Sequence, residues 1–287
     1  MTEKAQIKII GNNDLTVKVS KFHTNRNLTD KIQDPLPNID FCAGLVGAPN
    51  SGKTNLLVSL LTKNKKKGIN QSYKRVYTDV IFITPSIKNI TNKDILELEH
   101  IYDKITPEVL DNVVEIAEGN HEEKKHTLVI FDDVSAQFKK AGIVDKIGQI
   151  FKNHRQFSLS IMTLSQKYTD LSTDMRGCIK LWFIFSLDDK CCKEALFDVC
   201  QLTRKQFDLM YAFIFNSTMA SRYSFLLIDR TRSIKNKLRF FKNFMEIEPC
   251  AGGEVVVEDQ LILGDDKVKE LDEPDNTTGR KSRKRRT

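Results

Sequence analysis

Residues 40–61 read Asp40-Phe41-Cys42-Ala43-Gly44-Leu45-Val46-Gly47-Ala48-Pro49-Asn50-Ser51-Gly52-Lys53-Thr54-Asn55-Leu56-Leu57-Val58-Ser59-Leu60-Leu61. Asp40 to Val46 is an apolar run of strand length that leads straight into Gly47. After Lys53, the spacing of Leu56, Leu57, Leu60 and Leu61 is helical. Strand, glycine loop and helix therefore follow one another without a spacer, and Gly47 to Thr54 satisfies GxxxxGK[ST] at every position. The chemistry behind that pattern explains the residue types. Glycines let successive backbone N–H groups converge on a β-phosphate, and the helix N-terminus adds the positive end of its dipole. Lys53 is expected to reach the β- and γ-phosphates, and the Thr54 hydroxyl to ligate Mg²⁺. Gly47, Ala48, Pro49, Asn50, Ser51, Gly52, Lys53, Thr54 and Asn55 form the expected nucleotide-binding segment.

A second motif lies downstream. Thr127-Leu128-Val129-Ile130-Phe131 is an apolar strand that ends in Asp132-Asp133, at the sheet edge where a parallel α/β fold places its ligands. Asp132 is expected to hold Mg²⁺ through water, and Asp133 to orient or deprotonate the attacking water. The second acid argues for hydrolysis by the protein itself, whereas a GTPase switch would more often show a DxxG turn. One strand later, Ser160 to Ser165 ends at Gln166. In P-loop ATPases with an extra strand between the phosphate loop and the acidic strand, that strand end faces the γ-phosphate, so Gln166 is expected to sense it and position water.

The remaining elements alternate. Val80 to Ile83 reads as a strand, and Thr106-Pro107-Glu108 supplies a cap, an N1 proline and an acidic first turn for a helix through Glu118. Val144 to Asn153 reads as a helix and Lys180 to Phe185 as the fifth strand. Lys190 to Cys200 and Arg204 to Phe213 are helical, and Tyr223 to Ile228 and Leu238 to Phe241 are strands that complete the sheet at its edge. The expectation is an α/β fold of the P-loop NTPase type, RecA/ASCE-like, with a mostly parallel sheet covered by helices on both faces. Residues 1–38 read as a β appendage, with alternating stretches at Gln6 to Ile10 and Leu15 to Val19, and a linker. Residues 39–248 form the expected ATPase domain, and residues 249–287 an acidic stretch and basic tail that lack core-forming periodicity and are expected to be disordered.

Composition narrows the class further. The chain has 287 residues, 40% of them apolar, which is enough for a real core and excludes collagen-like, mucin-like and wholly disordered chains. Apolar runs stop far short of the roughly 20 residues that a membrane span needs, and the first ten residues lack the layout of an export signal. Six cysteines occur without a CxxC pair, so a structural zinc site is not expected and a reducing compartment fits. The net charge of +7 hides segregation. Glu254 to Asp275 carries −7 and Arg280 to Arg286 carries +6, which leaves about +8 on residues 1–253. A basic body favours a polyanionic partner. The basic tail reads either as a DNA contact or as a nuclear import signal.

Three motifs in order, GAPNSGKTNLL (47–57), LVIFDD (128–133) and NHRQFSLSIMTLSQ (153–166), resemble the DNA-packaging ATPases of large eukaryotic DNA viruses and virophages, the poxvirus type in particular. Those belong to the FtsK/HerA superfamily of P-loop DNA translocases. The resemblance covers roughly residues 40–229. Cellular members usually carry Glu as the second acid, and Asp133 departs from them toward the viral branch. The resemblance implies an ATP- and Mg²⁺-dependent motor on double-stranded DNA, a homo-oligomeric ring of five or six subunits, and a capsid or portal-vertex partner. It implies an intracellular place of work, the host cytoplasm or viral factory, with the nucleus and the virion as further locations. It also implies an arginine supplied to the neighbouring subunit's site, for which Arg176 and Arg155 are the candidates. Two other functions stay open on the residues alone: a regulatory or partitioning ATPase that moves nothing, and a nucleotide kinase.

Overall fold

The structure is a computed structural model and describes residues 32, 35–37, 39–62, 73, 74, 76–86, 100–187, 189–216, 223–231, 238–249 and 255–256. The expected strands at Gln6 to Ile10 and Leu15 to Val19 lie outside the described residues, as do the acidic stretch beyond Val256 and the basic tail. One compact unit ends at Val256; the second, residues 257–287, falls wholly outside them.

In chain order the first half contains β1 (Cys42–Val46), α1 (Lys53–Thr62), β2 (Asp79–Ile83), β3 (His100–Tyr102), α2 (Pro107–Glu122), β4 (Thr127–Asp132) and α3 (Val144–Asn153). The second half contains β5 (Leu159–Ser165), α4 (Thr173–Cys178), β6 (Leu181–Phe185), α5 (Lys190–Cys200), α6 (Arg204–Phe215), β7 (Phe225–Asp229), β8 (Arg239–Lys242), β9 (Met245–Pro249) and β10 (Val255–Val256). The ten strands among the described residues form one sheet in the order β10-β9-β8-β7-β6-β1-β5-β4-β2-β3. The six strands from β6 to β3 are parallel, and β7 to β10 add an antiparallel wing. The mostly parallel α/β sheet expected from the alternation of elements is present, with β5 inserted between the strand of the phosphate loop and the acidic strand.

The parallel strands bury both faces, which explains their continuous apolar runs. Along β4, Val129 and Phe131 point into one core and Leu128 and Ile130 into the other. The first core is covered by α2 to α6 and the second by α1 with Tyr73 and Tyr77, so helices among the described residues lie on both faces, in unequal number. Gly44 in β1 has a packing reason. The Trp182 ring of β6 lies where a side chain would stand, with its Cε3 2.7 Å from a Cβ built on Gly44.

Several boundaries differ from expectation. Ile32 and Leu36 are buried in the α1-side core and the Tyr73 hydroxyl donates to Pro37 O at 2.7 Å, so the packed body reaches back into the segment read as a linker. At the other end, β9 and β10 extend the sheet past residue 248, and Val255–Val256 pair with Glu248 and Pro249 in a stretch read as disordered. Strand β3 is a three-residue edge strand without readable alternation. Helix α2 is capped by Thr106 as expected, but runs past Gly119 to Glu122. The buried Asn120 side chain donates to Asp79 Oδ2 and Thr127 Oγ1 and so ties the last turn to the sheet. Among the described residues, no helix is long and apolar enough to cross a membrane.

Candidate active site

The phosphate loop leaves β1 at its C-terminal end and enters α1 at Lys53, as the local pattern requires. Its path uses left-handed backbone at Asn50 (φ 60°) and Gly52 (φ 105°). Gly47 is confined from both sides: a Cβ there would lie 2.6 Å from Phe185 Cβ and 2.9 Å from Ser51 Oγ. The loop is tied to the sheet by the Gly47 N–H, which donates to Ser165 O at 3.2 Å. Lys53 folds back, and its Nζ donates to Gly47 O at 2.8 Å and Ala48 O at 2.9 Å. Burial pushes the Lys53 ammonium below its usual range, and Asp132 and Asp133 oppose that shift. Ser51 Oγ is buried in the loop and has no hydrogen-bond partner among the described residues, and Thr54 and Asn55 face solvent at the start of α1.

The register brings the second motif alongside. Val46 pairs with Ser165, and Asp132 pairs with Leu164, so the ends of β1, β5 and β4 are level. Asp132 sits at the tip of β4 and accepts from Thr84 Oγ1 at 3.3 Å. Burial raises the Asp132 carboxyl above the usual carboxylate range. The Thr84 bond lowers it, Asp133 raises it and Lys53 lowers it. Asp133 turns out of the strand through a left-handed conformation (φ 54°), held by its N–H to Leu164 O at 3.1 Å. Its Oδ1 accepts from Gln166 Nε2 at 3.1 Å. A non-glycine residue at positive φ beside the phosphate loop is the kind of local strain that gathers at functional sites.

Four predicted residues thus converge, Lys53, Asp132, Asp133 and Gln166, while Thr54 follows Lys53 on α1 and faces solvent. Thr84 joins them unannounced. The sequence shows it only as a polar residue between a strand and Pro85, and its role becomes visible once the pairing of Ile83 with Phe131 sets it level with Asp132. The two arginines lie elsewhere. Arg155 follows α3 and is exposed; Arg176 lies on α4, its guanidinium 5.0 Å from the Tyr168 ring centroid, with Nη2 donating to Thr173 Oγ1 at 3.2 Å. The ends of α3 and α4 are joined by Lys152 and Asp174 at 3.0 Å, and Lys180 N–H donates to Cys42 O at the start of β1. Both arginines therefore stand near the edge where the parallel strands begin, opposite the phosphate loop of the same chain.

A family model described as poxvirus A32 protein matches residues 32–243. The chain belongs to that family. The match begins at Ile32, inside the packed body, and ends at Asn243, in the turn after β8. The A32-family chain is also similar to solved structures, two of which follow. The genome packaging NTPase B204 of Sulfolobus turreted icosahedral virus 2, in complex with AMP, is 14% identical with a TM-score of 0.50, and the match covers 72% of this chain and 100% of B204. B204, the DNA-packaging ATPase of Sulfolobus turreted icosahedral virus, is 15% identical with a TM-score of 0.50 over 71% of this chain and 98% of that one. At such identity these likenesses establish the fold. No curated protein matches the chain.

Proposed function

We propose that this chain is the ATP-hydrolysing motor that drives double-stranded DNA into a viral capsid. The observation that carries the reading is the convergence of Lys53, Asp132, Asp133 and Gln166 at one end of the sheet in a chain of the A32 family. The description of the similar B204 as a genome packaging NTPase, and its complex with AMP, support it.

The loop suits a triphosphate. The unpaired Ser51 hydroxyl and the N–H groups at the start of α1 offer donors to the phosphates, and Lys53 would exchange the Gly47 and Ala48 carbonyls for phosphate oxygens. Thr54 and Asp132 offer a hydroxyl and a carboxylate, the oxygen donors that a hard divalent cation takes, so the residues present fit Mg²⁺. When bound, that ion supplies charge neutralisation at the β- and γ-phosphates. Asp133 accepts a proton from the attacking water, and Gln166, hydrogen-bonded to it, fixes where that water stands. Since Arg155 and Arg176 lie away from their own loop, either would act on the site of a neighbouring subunit in a ring. The basic body supplies the attraction for DNA phosphates. A capsid or portal-vertex protein is the remaining partner, and the work is done inside the infected cell.

The test is ATP hydrolysis by the full chain with and without duplex DNA. Turnover that rises with duplex and vanishes in Lys53→Ala supports the motor. Turnover indifferent to duplex overturns it in favour of a regulatory ATPase, and phosphate transfer to a nucleoside or nucleotide acceptor overturns it in favour of a kinase.

A further inference from the structure

The reading above places the γ-phosphate toward Asp133 and Gln166, on the β5 and β4 side of β1. The other end of the nucleotide then leaves the loop on the opposite side, toward β6 and β7. An aromatic surface stands there. Tyr223 lies directly against the loop: a Cβ built on Gly52 would be 3.0 Å from Tyr223 Cδ1 and 3.6 Å from Phe185 Cε1. Phe225 opens β7 opposite Phe185, their ring centroids 5.6 Å apart, and Phe244 packs edge-on to Phe225 at 5.3 Å and 78°. The turn that carries Phe244 is clamped. Asn243, in the left-handed region at φ 56°, donates its N–H to Phe225 O at 2.8 Å, and its Oδ1 accepts from the Phe225 N–H at 3.1 Å.

This surface is prebuilt and open. Tyr223 is 51% exposed and Phe244 41%, two of the five exposed large hydrophobic residues among those described. Apolar exposure gathered at one point beside a ligand loop calls for an occupant. A nucleotide held by its phosphates carries a flat base with two π-faces, and an aromatic ring within its reach gains from stacking on one of them.

We propose that Tyr223, beside Phe185 and the Phe225 and Phe244 rings packed on it, is the platform on which the base of the bound nucleotide stacks. The proposal rests on the nucleotide reading above and adds the residue that holds the far end of the ligand. Tyr223 also touches Gly52, so a purely structural role would be to prop the loop. The two roles separate by ligand, because a prop matters to any polyphosphate and a platform only to one that carries a base.

The experiment is calorimetric titration of the full chain with ATP and with inorganic tripolyphosphate, for the wild type, Tyr223→Phe, Tyr223→Leu and Phe244→Ala. Tyr223→Leu keeps bulk against Gly52 and removes the ring. It should weaken ATP by about tenfold or more, the range measured for loss of base stacking, and leave tripolyphosphate within about twofold, while Tyr223→Phe keeps both affinities. Phe244→Ala should weaken ATP by a smaller factor. Equal weakening of both ligands in Tyr223→Leu makes the residue a prop and overturns the platform, as does unchanged ATP affinity in Tyr223→Leu and Phe244→Ala together. Unchanged ATP affinity with an altered sedimentation coefficient also overturns it, and makes the patch a contact between copies of the chain. A wild type that binds neither ligand removes the nucleotide reading itself, a distinct failure.

Discussion

Asp133→Asn tests the hydrolytic half of the site with the least disturbance elsewhere. Asn has the same shape as Asp and tolerates the left-handed backbone at this position (φ 54°), where most residues are strained by about 1–2 kcal/mol. The backbone bond to Leu164 O is untouched, and the amide oxygen still accepts from Gln166 Nε2. What disappears is the negative charge and the capacity to take a proton. General-base catalysis contributes about 10²–10⁴ in rate, so turnover should fall at least about a hundredfold, roughly 2.7 kcal/mol of barrier at 1.36 kcal/mol per tenfold. Binding should hold, because Asp133 touches neither the loop nor Lys53 and is only the lesser of the two carboxylates that act on the Lys53 charge. Single-turnover hydrolysis at saturating ATP and Mg²⁺, beside an independent measurement of nucleotide affinity, separates the two effects. Gln166→Ala sharpens the result. Two residues that act through one hydrogen bond are not additive, so the double variant should lose little beyond Asp133→Asn alone. Turnover of Asp133→Asn within about threefold of wild type, far below the hundredfold expected of a lost base, would refute the reasoning.

Thr84→Val removes the one bond that favours the ionised form of Asp132 besides the attraction of Lys53. The carboxyl, already held above its usual range by burial, should rise further, and the acid limb of kcat/KM should move to higher pH, because the protonated acid cannot hold the metal; an unmoved limb rejects the coupling. Gly44→Ala drives a methyl into the Trp182 ring, itself packed on Tyr168 with centroids 4.8 Å apart, and should cost about 1–3 kcal/mol by overpacking; the midpoint of urea unfolding reads it. In mixed assemblies, Arg176→Ala or Arg155→Ala subunits combined with Lys53→Ala subunits should regain activity for whichever arginine serves the neighbour's site; a fully active monomer with no rescue rules out both. Deletion of residues 279–287 should weaken duplex binding about tenfold at low salt and flatten its salt dependence; if neither changes, the basic body carries the contact.

The sequence alone determined the phosphate loop, the acidic strand end, the parallel α/β class and the family resemblance. Each of these is a local signal: eight consecutive residues suffice for the loop, and apolar runs bounded by turn residues suffice for the buried strands. The helix cap at Thr106 and the span Lys190–Cys200 were legible for the same reason. Short edge elements were not, since β3 is three residues long and β10 two, and their existence depends on the strand each pairs with. The site was legible residue by residue and not as a constellation. Gln166 to Asp133 and Thr84 to Asp132 are contacts across neighbouring strands, set by a register that emerges only when β1, β5, β4 and β2 pack in that order. Tyr223 is the extreme case. It follows Gly52 by 171 positions in the chain, belongs to no motif, and reaches the loop because β7 turns back antiparallel beside β6. Backbone propensity acts over a few residues, whereas strand order and register are decided by which faces the whole sheet must bury, so only the tertiary structure could place them.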